Sequence, residues 1–169
     1  MKTGIDLKIK NNIAYLTINR PNQRNALDLK SASDFLEAIH TIDVNDKVDV
    51  VVLTGTGGVF CAGADLSEMV EKGAIYRPWA GADGPLAKPC AKPVIAAIEG
   101  HAVAGGLGVA LWADMRVASE TAIFGVFCRR FGVPMSDGTP TRLPKVIGQS
   151  RALDMLLTGR PVRAEEALH

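Results

Sequence analysis

The chain has 169 residues, 47% hydrophobic and 22% charged, enough for one buried core and one globular domain. Its 19 Lys and Arg nearly balance 18 Asp and Glu, so no basic excess points to nucleic acid and no like-charge block forms a tail. No apolar run approaches the roughly 18 residues of a membrane span and no signal-peptide core opens the chain. Three widely spaced cysteines, Cys61, Cys90 and Cys128, make neither a disulfide framework nor a zinc set, so a reduced cytoplasm is the expected compartment.

Taken in order, residues 5–10 (IDLKIK) and 13–19 (IAYLTIN) alternate as strands, and Asn11-Asn12 suits a tight hairpin between them. Residues 28–43 place Leu29, Phe35, Leu36, Ile39 and Ile42 near one helical face, with Asp28 as the N-cap. The run 48-VDVVVL-53 reads as a strand covered on both faces. A glycine-rich loop, 55-GTGGVFCAGADL-66, and a short helix near 66–72 follow. Residues 73–92 are rich in Gly, Pro and Ala without a period, the pattern of a mobile or variable segment. A second buried strand is predicted at 94–98, a helix at 105–113, a strand pair at 114–118 and 121–124, and an amphipathic helix at 149–158 stopped by Gly159. A last helix begins at 163-RAEEALH. Ile5, Leu16, Phe35, Val51, Val94 and Ile98 are the expected core. This order predicts an α/β fold with βαβ crossovers.

The glycine-rich loop is not a phosphate-binding P-loop, because it lacks the Gly-Lys-Ser/Thr ending. It is not a dinucleotide fingerprint, because Phe60 stands where the third glycine belongs. There is no G-x-S-x-G elbow. His40, His101 and His169 lack metal-like spacing, and no metal is expected. Two small-residue turns remain, 61-CAGAD-65 and 104-AGGLG-108, each opening a helix. Helix N-termini carry unpaired N–H groups and a partial positive charge. Two such turns facing each other can offer two N–H donors to one oxygen, the geometry of an oxyanion hole. Close packing of helix on sheet also favours Gly and Ala, and spacing alone does not separate the two.

Four stretches in this order, 19-NRPNQRNAL-27, 51-VVLTGTGGVFCAGADLSEM-69, 92-KPVIAAIEGHAVAGGLGVALWADMRVA-118 and 124-FGVFCRRFGVPMSDGTPTRLPKVIG-148, resemble the enoyl-CoA hydratase/isomerase (crotonase) superfamily from Ile13 onward. The resemblance implies a crotonase-like (ClpP/crotonase) α/β fold of ββα units, with 1–169 a single core domain, no linker, and the C-terminal helical region of the relatives lacking. It implies an acyl-CoA thioester substrate, with coenzyme A entering as part of that substrate and not as a bound cofactor. It further implies a homotrimer or hexamer, acting in fatty-acid or related carboxylic-acid metabolism, with no nucleic acid and no membrane as partner.

Carried over by position, the N–H groups of Ala64 and Gly105 hold the thioester oxygen. Ala62, Asp65 and Leu66 line the adenine and pantetheine path. Arg24 and Ala26 sit near the nucleotide end, where a guanidinium suits phosphate; a solvated surface Arg is the plain alternative. Ala102, Ala104, Gly106, Cys128, Phe131 and Gly132 line the acyl side.

The hydratases of this family use two glutamates to handle the added water. Here their positions fall on Gly108 and Cys128. A positioned acid or base contributes about 10²- to 10⁴-fold, so ordinary hydration is expected to be weak or absent. Three groups are candidates to serve instead. Asp137 lies one residue beyond Ser136, where some relatives carry a catalytic aspartate, and the plainer reading, which is preferred, is a turn or capping residue in 136-SDGTP-140. Cys128 is a nucleophile if Arg129 or Arg130 lowers its pKa, and otherwise a small buried hydrophobe. His101 aligns with a position that is usually structural.

Overall fold

A computed structural model describes residues 4–72 and 84–169. The sequence expectation for 73–83 lies outside the described residues.

The first strands, β1 (Ile5–Lys10) and β2 (Ile13–Ile18), form the expected hairpin. Its turn residues Asn11 and Asn12 both have positive φ, a conformation asparagine tolerates better than most residues. Helix α1 (Leu29–Asp43) begins where predicted, with the Asp28 carboxylate accepting from the Ser31 N–H at 2.7 Å. Strand β3 (Val50–Gly55), helix α2 (Leu66–Lys72), strands β4 (Val94–Ile98) and β5 (His101–Val103) and helix α3 (Gly105–Trp112) follow. Then come β6 (Met115–Ala118), β7 (Ile123–Gly125), a 3₁₀ turn at Phe127–Phe131, α4 (Thr139–Ile147), α5 (Gln149–Thr158), β8 (Val162–Arg163) and α6 (Ala164–Ala167).

Two sheets result. The larger runs β1-β2-β3-β4-β6, parallel from β2 onward, and the smaller runs β5-β7-β8. The pairs β4-β5 and β6-β7 each give their first strand to the large sheet and their second to the small one. The strand pair expected at 114–118 and 121–124 therefore forms as two strands that do not pair with each other: β6 extends β4 and β7 extends β5. The reason is the turn between them. The Ser119 N–H donates to Ile98 O and the Ile123 N–H to Gly100 O, repeating the divergence already made after β4.

The core lies on one face of the large sheet. Ala14, Leu16, Ile18, Val51, Leu53, Val94, Ala96 and Ile98 alternate inward and are buried with Phe35, Ile39 and Ile42 of α1. All eight residues of α3 are buried, so this helix is apolar on every side. Phe35 meets Trp112 edge-on with ring centroids 5.7 Å apart, tying α1 to α3. Two sequence expectations need correction. Val50 and Val52 of β3 are only half-buried, because the described elements cover one sheet face and leave Tyr15, Met115 and Val117 exposed on the other. Leu29 and Leu36 are exposed, and the buried stripe of α1 runs instead through Ser31, Ala32, Phe35, Ala38, Ile39 and Ile42. Helix α4 was hidden from sequence reasoning by Pro134, Pro140 and Pro144, although Pro140 lies in its first turn, where proline is tolerated.

Candidate active site

The two small-residue turns meet, and strand register is the cause. After β3 the chain crosses to the small sheet, where Cys61 pairs in parallel with Ala102 of β5. The Cys61 N–H donates to His101 O at 2.9 Å and the Val103 N–H to Cys61 O at 3.1 Å. Advancing three residues on each side of that pairing reaches Ala64 and Gly105. Beyond the bridge both chains leave the strand conformation, at Gly63 and at Ala104, and remain close. A Cβ built on Gly63 would lie 2.8 Å from the Gly105 nitrogen, so the two backbones are in contact. Gly63 has φ +100, a conformation glycine adopts and L side chains rarely do. A Cβ on Gly106 would overlap the Cys61 carbonyl oxygen. The small residues are therefore required by backbone approach between two loops, more than by packing of helix on sheet.

Around this contact the neighbouring N–H groups are used. Leu27 donates to Gly63 O, Asp65 to Leu27 O, Ala62 to Arg24 O and Ala104 to Gly125 O. The N–H groups of Ala64 and Gly105 have no acceptor among the described residues. Gly105 opens α3, so its N–H is one of the helix's unpaired donors and carries part of the helix dipole. Ala104, which aims it, has φ +51 and ψ −127, a strained conformation for alanine.

A second layer fixes the 61–66 turn. Asn25 is fully buried at φ +56; its amide donates to Thr56 O and Val59 O, and its side-chain oxygen accepts from the Arg20 N–H. The Arg20 guanidinium reaches Asp28 at 2.9 Å and Asp65 at 3.0 Å, and also donates to Ala26 O. The Asp65 carboxylate is thus held by Arg20 and by the Ser67 N–H. Arg24 is exposed and has no ion-pair partner among the described residues. Leu66 is exposed, Ala26 buried, and Ala62 half-buried beside Arg24. Neither Arg20 nor Asn25 was singled out from sequence, although both stand inside the NRPNQRNAL motif that carried the resemblance.

The acyl-side residues divide. Ala102, Ala104 and Gly106 lie in the turn itself. Cys128 is buried in the 3₁₀ turn, whereas Phe131 and Gly132 at its end are exposed, Phe131 by 68%. Arg130 stacks over Phe127 at 3.7 Å and donates to Gly159 O, so its charge is engaged away from Cys128. The Cys61 thiol is pushed up to about 12, chiefly by burial, and stays neutral at ordinary pH. His101 is exposed.

Asp137 is buried, with 4% of its surface exposed. Its Oδ1 accepts from the Thr139 N–H at 2.9 Å, the turn role of the two foreseen for it, since Gly138 is the N-cap of α4. Arg142 donates to the Asp137 carbonyl at 3.0 Å and to Leu86 O at 2.6 Å, pinning the 133–138 loop. Burial raises the Asp137 pKa, with the hydrogen bonds from Thr139 and the charge of Arg142 acting against it.

The family model for enoyl-CoA hydratase/isomerase matches residues 8–169. The chain belongs to the enoyl-CoA hydratase/isomerase family. Among relatives of this family, (E)-benzylidenesuccinyl-CoA hydratase of Thauera aromatica is 38% identical over 168 residues, covering 97% of this chain and 66% of its own. Enoyl-CoA hydratase EchA19 of Mycobacterium tuberculosis is 37% identical over 161 residues, covering 90% and 60%. The crystal structure of enoyl-CoA hydratase EchA1 from Mycobacterium marinum superposes with a TM-score of 0.92 at 32% identity, over 99% of this chain and 66% of that one. The fold is thus the crotonase-like α/β fold of the family, and the chain spans less than two thirds of the length of these curated relatives.

Proposed function

We propose that the protein binds an acyl-CoA thioester and stabilises the enolate formed at its carbonyl. One observation carries this reading: the Ala64 and Gly105 N–H groups follow the Cys61–Ala102 bridge on backbones that touch at Gly63 and Gly105, and have no acceptor among the described residues. A preorganised donor of this kind contributes about 3–4 kcal/mol when negative charge develops on the oxygen it faces. The unpaired guanidinium of Arg24 supports a phosphate contact at the nucleotide end of coenzyme A, with Ala26, Ala62, Asp65 and Leu66 supplying the wall between. Ala102, Ala104, Gly106 and Cys128 border the acyl group, with Phe131 and Gly132 at the rim. On this reading coenzyme A is part of the substrate, and the working protein is a cytoplasmic homotrimer or hexamer in carboxylic-acid metabolism.

Gly108 and Cys128 supply no carboxyl at the two positions used for water addition, so hydration is slow. Incubation with crotonyl-CoA, followed by mass spectrometry of the thioester, separates the cases. The expected result is saturable acyl-CoA binding with little or no added water. Binding must weaken when a bulky residue closes the turn, as in Gly105→Val; equal affinity in that variant contradicts the reading.

A further inference from the structure

The space over Gly108 is filled by Asp137. A Cβ built on Gly108 would lie 2.6 Å from Asp137 Cγ, 2.7 Å from its Cβ and 2.8 Å from its Oδ2. Residue 108 therefore cannot carry a side chain while Asp137 keeps its place. Oδ1 accepts from the Thr139 N–H, and Oδ2 lies over the α3 surface at Gly108, one turn after Gly105. The charge of Asp137 is felt at Cys61, in the opposing turn. The Thr139 hydroxyl beside it is fully buried. A turn aspartate needs neither burial nor a glycine opposite it.

We infer that Asp137 is the proton-transfer group of this site, and that Gly108 is the residue that admits it: one carboxyl has been exchanged between α3 and the loop before α4. The inference rests on the thioester reading above. Ionised Oδ2 takes a proton from the carbon next to the thioester carbonyl. The C–H bond breaks, an O–H bond forms, and the electron pair passes to the carbonyl oxygen between Ala64 and Gly105. The reverse step returns a proton, so nothing is oxidised or reduced. The titratable groups facing Asp137 from the described elements are Arg142 of α4 and the Cys61 thiol; α3 presents glycine and apolar residues only.

The test is exchange of the α-hydrogens of butyryl-CoA in D₂O, read by mass spectrometry, beside butyryl-CoA affinity and thermal melting. The native chain is expected to exchange, with a rate that rises as Asp137 ionises above the ordinary carboxylate range and then levels. Asp137→Asn is expected to slow exchange by about 10²- to 10⁴-fold, with affinity held within a few-fold and melting undiminished at pH 7. Gly108→Glu is expected to melt lower and lose exchange, and adding Asp137→Gly is expected to restore its melting temperature. Exchange at the native rate in Asp137→Asn, a flat pH profile in the native chain, or a fully stable and active Gly108→Glu overturns the inference while leaving the thioester reading intact. So does a native chain that binds butyryl-CoA without exchanging it. Failure of the native chain to bind any acyl-CoA overturns the thioester reading itself.

Discussion

The two halves of the site are built in different ways. The half around Ala64 and Gly105 is made of backbone, held by a parallel pairing and by residues too small to obstruct it. The other half, around Gly108 and Asp137, depends on a side chain from the loop before α4 packed over a glycine of α3. A backbone donor survives any substitution that spares the fold, so the first half changes only by closure of its turn. The second half can lose or relocate a carboxyl by single substitutions.

Perturbing each half separately tests this contrast. Gly106→Val strikes the backbone half hardest. Its Cβ overlaps the Cys61 carbonyl, a main-chain atom that cannot swing aside. Overpacking of this kind costs about 3 kcal/mol, so urea unfolding is expected to show that loss together with lost acyl-CoA binding. Asn25→Ala acts one layer back. It leaves the Arg20 N–H and the carbonyls of Thr56 and Val59 without their partner and places alanine at φ +56. A loss of about 2–3 kcal/mol is expected by denaturant titration, along with weaker affinity for coenzyme A through Arg24.

The side-chain half is sharpened by pH. The folded pKa of Asp137 is raised by burial, so its contribution to stability is fully present below its unfolded pKa and is lost as pH rises through the folded value. The melting temperature of Asp137→Asn minus that of the native chain is therefore expected to be larger at pH 8 than at pH 4. A difference that shrinks with rising pH contradicts the assignment of burial as the dominant influence. The smallest effect is expected at Ala104, where Ala104→Gly relieves the strained φ of +51 at some cost in chain entropy. A net gain of up to about 1 kcal/mol in urea is expected.

Much of the fold was legible because its signals are local. The Asn11-Asn12 turn, the Asp28 cap, the β4 run and the Gly159 stop each act within a few residues, and each appears where expected, while β3 forms two residues later than its run. The exchange of strands between two sheets was not legible, because β6 and β7 look like a hairpin until the hydrogen bonds at Ser119 and Ile123 send them apart. Within the site, the small-residue turns could be read from the sequence, but their convergence depends on the Cys61–Ala102 register, which no local pattern encodes. The contact between Gly108 and Asp137, 29 residues apart along the chain, is further still from local reading. The sequence marks an absence at one position and an unassigned carboxyl at the other, and only packing joins them.

A thioester oxygen held by the Ala64 and Gly105 N–H groups, as proposed, is visible to difference infrared spectroscopy of an acyl-CoA labelled with ¹³C at the thioester carbonyl. The expected result is a carbonyl stretch lowered on binding and returned toward its free value in Gly105→Val. A bound thioester whose carbonyl stretch stays at the free position contradicts the claim.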